Sequence, residues 1–402
     1  MVKGLSNKDA VVAMVLAMMG TGITFMPYAF KSAGYLNAIF LMVFFAIGTA
    51  ISCYCISYAA KYSGHENPTY SSLASNISTA LGYIVNVSIF FNGYIAAVNF
   101  YRYLSDLIVR NSHYIQNLTS DYEKSRKVVV LILAIPFLYL SSKKTLSGLA
   151  FTTYLSIASV IYLAFLMIYL FFTVGSTFAD GNPKPFNESL GESVPFFISS
   201  MVCQANMVKI YGEMEKKSNR NIIIVSLGAA IGGMLINCLI GFFGYFVFGD
   251  GVSGEIVTEL SDMNNPINKY LRSGWDKNNI MSGMAVYGMM LTLFGGYPLQ
   301  VNPVVDMIFK FLPVEKRTEV SRKIIVILLF LIAVSLNLME ELKTKVMKKY
   351  LGATFSNSVA FVYPFVYYLS TKKEKSLASK SVCTLMIGMS IVVSIYTIFR
   401  SL

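Results

Sequence analysis

Eleven apolar stretches, each near the length that crosses a bilayer, limit what this chain can fold into. A span needs roughly 20 mostly apolar residues. Candidates run at about 10–31, 35–60, 79–109, 127–141, 149–174, 191–212, 221–248, 279–311, 323–340, 353–370 and 380–401. In hydrocarbon no water bonds the backbone, so each stretch must satisfy its own N–H and C=O groups as a helix. Composition agrees: 13% of the residues are charged, about half the roughly 25% of a soluble domain. The expectation is an all-α, multi-pass membrane protein folded as a single transmembrane domain over 1–402. The first stretch is too long for a signal-peptide core and lacks a small-residue cleavage site. The fourth is short, and the sixth is weakly apolar, holding Gln204, Asn206 and Lys209.

The formal charge of +12 is scattered over loops. No basic stripe interleaves with aromatics, so nucleic-acid binding is excluded, and the charge reads as membrane orientation. Eleven spans put the termini on opposite sides. Positive residues in short inner loops, such as KKEK at Lys372–Lys375 and VEKR at Val314–Arg317, favour a cytoplasmic N-terminus. Lys343, Lys345, Lys348 and Lys349 then fall outside and disagree. Asn117 (NLT) and Asn187 (NES) would face the outside or a lumen, and Asn76 (NIS) the cytoplasm. The longest loop, 249–278, reads as a solvated cap or gate, or as a plain connector.

Cys53, Cys55, Cys203, Cys238 and Cys383 all lie in apolar runs, which argues against an extracellular disulfide framework. His65 and His113 lie far apart in loops. No metal site is expected, nor a Ser/His/Asp arrangement, and no cofactor. The chain reads as a non-enzyme with no catalytic residues and no obligatory protein partner.

The first stretch interrupts itself. Gly20-Thr21-Gly22 sits mid-run and Pro27 follows. Broken helix at membrane depth is tolerated only where it is buried in protein or lines a wet cavity. Small residues also serve close helix packing, which is the plain alternative. Pro27 removes a further backbone bond and shifts the balance toward a break. A break offers amides at one half-helix start and carbonyls at the other half-helix end, a place to hold both ends of a zwitterion. An inverted repeat would put a second break five spans later. The sixth stretch is the most polar of the eleven, with Ser199, Ser200, Cys203, Gln204 and Asn206 able to stabilise unwound backbone.

These segments resemble the amino acid/auxin permease family. GTGITFMPYAFKSAG (Gly20–Gly34) is similar to that family's glycine pair followed by its Leu-Pro-Tyr-Ala-Phe-Lys motif. VCQANMVKIYGEM (Val202–Met214) resembles its sixth helix, and LIGFFGYFVFGDGV (Leu239–Val252) its seventh. FNGYIAAVNFYRYLSDLI (Phe91–Ile108), YPLQVNPVVD (Tyr297–Asp306) and KKYLGATFSNSVAFVYPFVYYL (Lys348–Leu369) resemble its third, eighth and tenth. The matches keep their order from about 11 to 370.

The resemblance implies an eleven-helix transporter of the LeuT-like fold. Repeat one would cover about 10–174, repeat two about 191–370, and an extra helix about 380–401. It implies an amino acid substrate carried by alternating access across a plasma or vacuolar/lysosomal membrane. Gly20, Thr21 and Gly22 would face Ser200, Cys203, Gln204 and Ala205 around the substrate, with Asn92, Tyr94 and Thr292 as pocket wall by helix identity. Cys203, Gln204 and Ala205 suggest a neutral side chain. Sodium-coupled members usually carry an Asn four residues before the first glycine and a Thr shortly before the eighth-helix proline. Here Leu16 and Leu293–Tyr297 (LFGGY) stand there. That favours proton coupling or facilitation over sodium. Ion-coupling candidates are Asp106 and Glu213, though Arg102 four residues before Asp106 suggests a structural ion pair. The alternative function is a transporter-like amino acid sensor signalling from its cytoplasmic face. Such sensors often carry a long cytoplasmic extension, and here the first span begins at about residue 10.

Overall fold

The structure, a computed structural model, describes residues 5–20, 22–65, 68–112, 115, 121–142, 150–177, 179, 181–262, 264–273, 280–339 and 344–399. Thr21, His113, Asn117 and Lys343 lie outside the described residues.

Helix α1 (Asn7–Met18) starts on Ser6, whose Oγ accepts the Asp9 N–H at 3.3 Å. It stops before the glycines. A 3₁₀ turn (Ile23–Phe25) then leads into α2 (Met26–Ala33), bent by 60° from α1. Pro27 falls in the first turn of α2, where its missing N–H would have had no intrahelical partner. Gly34 turns the chain at φ +81°, and a Cβ there would lie 2.6 Å from Cα of Phe186, so only glycine fits.

Next come α3 (Tyr35–Lys61), the short α4 (Tyr70–Ser75), α5 (Thr79–Asn111), α6 (Tyr122–Ser142) and α7 (Ala150–Val174). The sixth stretch divides into α8 (Leu190–Ser200) and α9 (Gln204–Glu213). Beyond it lie α10 (Asn219–Phe248), the short α11 (Ile256–Ser261) and α12 (Pro266–Ser273), α13 (Ile280–Phe311) and α14 (Glu319–Leu338). Helix α15 (Thr344–Leu351) runs through π-helical turns at Gly352–Ser356 and Ser358–Val362 into α16 (Tyr363–Ser370), and α17 (Leu377–Phe399) follows.

Helices therefore occupy all eleven stretches read from the sequence. Among the described residues, seven helices are long and apolar enough to cross a membrane, and the bent pair Asn7–Met18 with Ile23–Ala33 makes an eighth. Their outward faces suit lipid: Phe40 is 70% exposed, Ile135 77% and Phe172 76%. In a bilayer those side chains meet acyl chains rather than water.

The packing follows a period of five segments. The first stretch meets the sixth (α2 on α8, α1 on α9), the second meets the seventh (α3 on α10), the third meets the eighth (α5 on α13), and the fourth meets the ninth (α6 on α14). The fifth, α7, packs on the seventh and eighth, while the tenth packs on the second and third. Adding five to the last pair returns the first, as a structure built from two five-helix units requires. An aromatic stack glues the third, fourth and eighth stretches: Phe137 lies 4.3 Å from Tyr297 and 4.8 Å from Tyr101, centroid to centroid.

The 249–278 loop is not a solvated cap over its described length. Ile256, Val257 and Leu260 of α11 are buried, and α11 packs on α13, α5, α2 and the 3₁₀ turn. Its apolar i, i+1, i+4 spacing gives the short helix a core-facing side.

Candidate functional site at two facing helix breaks

The two interruptions meet. At the first, the Met19 N–H donates to Leu16 O at 3.0 Å and the Gly20 N–H to Met18 O at 2.8 Å, tightening the end of α1. At the second, the Met201 N–H donates to Ile198 O at 3.0 Å, and regular helix resumes at Gln204. A Cβ built on Gly22 would lie 3.0 Å from Cα and 3.2 Å from N of Ser200. Backbone thus touches backbone at this point, which a side chain on residue 22 would prevent. A Cβ on Gly20, by contrast, meets nothing within 4 Å. A helix start leaves its first N–H groups without intrahelical partners, and α9 and α2 each begin here.

Side chains on α3 brace the second break. Gln204 Oε1 accepts the Cys203 N–H at 2.9 Å, and Gln204 Nε2 donates to Ser52 Oγ at 3.0 Å. The Sγ atoms of Cys203 and Cys53 lie 3.7 Å apart, both buried. Thr49 Oγ1 reaches the Met201 carbonyl at 3.5 Å. Gln204 therefore stabilises unwound backbone as its residue type predicts. The Ser199 and Ser200 hydroxyls instead donate back to Phe196 O at 3.0 Å and Phe197 O at 2.9 Å within α8.

The structure gathers Gly20, Gly22, Ser200, Cys203, Gln204 and Ala205 around the breaks, with Ala205 half-buried at the start of α9. The expected pocket-wall residues each have a hydrogen-bond partner away from the breaks. Tyr94 donates to Leu329 O of α14 at 2.6 Å and stacks on Phe90, so it works at the seam between the third and ninth stretches. Thr292 Oγ1 returns to Gly288 O at 2.9 Å along its own helix. Asn92 Oδ1 accepts from Ser356 Oγ at 2.8 Å, tying the third stretch to the π-helical part of the tenth. Helix identity alone does not tell which face of a helix looks inward.

Asp106 is also more tightly held than its sequence neighbours suggest. Its partner at 3.8 Å is Arg126 of α6, and the Tyr122 hydroxyl donates to it at 3.2 Å. Arg102 Nη1 meanwhile donates to Met339 O at 2.9 Å. Asp106 thus faces Arg126 across the helices as well as Arg102 on its own helix. Glu213 has an exposed side chain; its carbonyl accepts the Leu5 N–H at 2.8 Å, and Glu215 N–H donates to Leu5 O at 3.1 Å. This backbone bridge clasps the start of the chain to the end of α9.

At the other end of the breaks, the Phe25 and Phe196 rings stack at 5.3 Å and Tyr28 meets Phe196 edge-on at 5.5 Å. Above them lies a cavity of about 440 Å³ lined by Tyr28, Phe196, Glu192, Ser253, Lys345 and Lys349. Lys345 Nζ stands 3.7 Å over the Tyr28 ring. Lys31 Nζ donates to Val252 O at 3.0 Å and to Asp250 O, so the 249–255 segment is strapped over the mouth by α2 itself.

A family model described as transmembrane amino acid transporter protein matches residues 3–402. The chain is 23% identical over 389 residues to vacuolar amino acid transporter 5 of Schizosaccharomyces pombe, covering 94% of this chain and 88% of that one. It is 23% identical to amino acid transporter AVT6B of Arabidopsis thaliana, over 98% of this chain and 90% of the relative. It is 24% identical to human solute carrier family 38 member 8, over 63% and 60% of the two chains. Among solved structures, MhsT in complex with L-phenylalanine superposes with a TM-score of 0.55 at 11% identity, covering 98% of each chain. A manganese transporter from Eremococcus coleocola gives 0.61 at 11% identity, over 98% of this chain and 86% of that one. At such identities the likeness is one of fold, and the fold is LeuT-like.

Proposed function

The chain belongs to the transmembrane amino acid transporter family, and from that premise we propose that it is a secondary transporter holding a neutral amino acid between its two helix breaks. The observation that carries the proposal is the contact of Gly22 with Ser200, which brings two interrupted helices together in the interior. Unwound backbone at membrane depth is tolerated where it is buried in protein or lines a wet cavity, and a substrate-binding cavity is such a place. Residues 18–26 and 196–206 contain no charged side chain, which suits a substrate with a neutral side chain.

The site residues are Gly20, Gly22, Ser200, Cys203, Gln204 and Ala205, with Thr21 between the glycines. Alternating access follows from the two closures already described. The aromatic lid of Phe25, Tyr28 and Phe196 lies at one end, and the Leu5 clasp on α9 lies at the other. Opening one while the other holds would expose the breaks to one side at a time.

Coupling is to protons, or the protein is a facilitator. Leu16 supplies no side-chain oxygen, and Leu293 and Tyr297 are buried in apolar packing. A hard cation wants several oxygen ligands, so these positions do not favour sodium. The vacuolar names of relatives such as the fission-yeast protein support an endomembrane home.

The test is uptake of a labelled panel of amino acids into proteoliposomes under a pH gradient, a sodium gradient, or neither. Uptake of neutral amino acids without sodium is the expected result. A strict sodium requirement overturns the coupling reading. Binding without uptake under all three conditions replaces the transporter by a sensor.

A further inference from the structure

A second buried constellation lies directly over the first break, where sequence pattern shows only a loop. Glu255 precedes α11, the short helix that rests on the 3₁₀ turn Ile23–Phe25. Its Oε1 is buried and has no hydrogen-bond partner; among the described residues no other acidic side chain has such an oxygen. An ionised carboxylate in that position lacks the donors that normally compensate burial.

The groups facing it are few. Lys348 comes from α15 and is only 5% exposed. Asp106 and Arg110 come from α5 and act on Glu255 with opposite sign. Tyr103, fully buried on α5, lies near Glu255, Thr24 and Thr258, and its hydroxyl has no hydrogen-bond partner by geometry among the described residues. Thr24 lies within the 3₁₀ turn itself, two residues from Gly22. Glu255, Tyr103 and Thr24 thus place polar groups beside the turn next to Gly22.

Given the transporter reading above, on which this inference rests, we propose that Glu255 is the carboxylate that binds the coupling proton, with Lys348 as the charge that sets its affinity. The alternatives fit less well. Asp106 faces Arg102 and Arg126 and accepts from the Tyr122 hydroxyl, and the Glu213 side chain is exposed. The proton comes from water on the side of the 249–278 loop. Once Glu255 is neutral, its Coulomb attraction to Lys348 of α15 ends. Burial pushes Glu255 up to about 7, with Asp106 adding and Lys348 and Arg110 opposing. Burial likewise brings Lys348 down to about 8, with Glu255 opposing. A raised carboxylate is protonated below its pKa and ionised above it, so loading occurs as the loop-side pH falls through about 7.

The experiment uses full-length protein in proteoliposomes, with the neutral amino acid the panel identifies as probe and the pH gradient imposed in each direction. One proton per substrate accumulates the substrate about tenfold per pH unit. Wild type is expected to show that accumulation, and Glu255→Gln to lose its response to the gradient. Glu255→Asp should keep a gradient response. Lys348→Met should move the half-maximal pH upward, because a positive charge that favours the carboxylate is gone; this readout holds even if the Gln variant does not fold. Full gradient-driven accumulation by Glu255→Gln, or an unmoved midpoint in a folded Lys348→Met, overturns the proposal. Wild-type uptake indifferent to pH overturns it too while leaving the transporter reading intact. Absence of all amino acid binding and transport by folded wild type overturns both.

Discussion

Gly22 and Ser200 meet through their backbones, so closely that a carbon on residue 22 would be tighter than ordinary van der Waals contact. The position a Cβ would take is 3.0 Å from Ser200 Cα and 3.3 Å from Ser199 O. Those atoms are main chain, so neither can rotate away.

A valine at residue 22 would therefore have to push the two breaks apart, an overpacking cost of about 1–3 kcal/mol. Gly22→Val is expected to abolish uptake while the protein still reaches its membrane. Gly20→Ala is the control, because a methyl there has space. It should leave the thermal stability of purified protein unchanged. Normal transport by Gly22→Val would show that the glycines serve helix packing only.

Gln204 ties Cys203 N–H to Ser52, and both of its bonds are buried. Gln204→Leu leaves that N–H without its acceptor, at a cost of about 1–3 kcal/mol. The melting temperature in detergent should fall clearly. Ser199→Ala, which removes only a hydroxyl bonded within its own helix, should barely move it. Equal effects of the two would mean that Gln204 does not brace the break.

Cys53 and Cys203 are placed to share one soft metal ion. With their Sγ atoms 3.7 Å apart, a mercuric ion bound by both thiols would pin the sixth stretch to α3. Uptake should be inhibited by mercuric chloride and recovered with dithiothreitol. Replacing either cysteine by serine should raise the mercury concentration needed severalfold. Unchanged sensitivity in both variants would place the mercury target elsewhere.

Tyr94 belongs to the seam with α14. Tyr94→Phe should lower stability by about 1 kcal/mol and leave the KM for substrate where it was. A large rise in KM with unaltered stability would return Tyr94 to the pocket wall.

Helix positions were legible because the bilayer demands length and apolarity, and both are local properties of sequence. The break at Gly20–Gly22 was legible for the same reason: two glycines and a proline interrupt a run that must otherwise be continuous. Gln204 and Cys203 stood out as polar residues in an apolar stretch. What stayed hidden depends on which way a side chain points after packing. Tyr94 finds its partner 235 residues away at Leu329, and no periodicity in α5 marks that. Asp106 shows Arg102 as its neighbour in the sequence, and only folding adds Arg126 from the fourth stretch. Glu255 by itself gives no sign, since a glutamate in a long polar loop is ordinarily solvated. A loose signal did exist: the apolar residues Ile256, Val257 and Leu260 follow it at spacings that suit a helix lying on a core.

The sequon at Asn187 sits on the loop that Gly34 admits. Tyr35 and Leu36 donate to Lys184 O and Pro185 O, the Asn187 N–H donates to Ala33 O at 3.1 Å, and its Nδ2 donates to Lys31 O at 3.0 Å. The nitrogen that a glycan would occupy is thus already committed and half-buried. A glycosyltransferase can use it only in the interval between emergence of the loop and its docking on the first stretch. Occupancy at Asn187, followed by pulse-chase, would then act as a clock for assembly, high in chains that fold late and absent from those that fold at once.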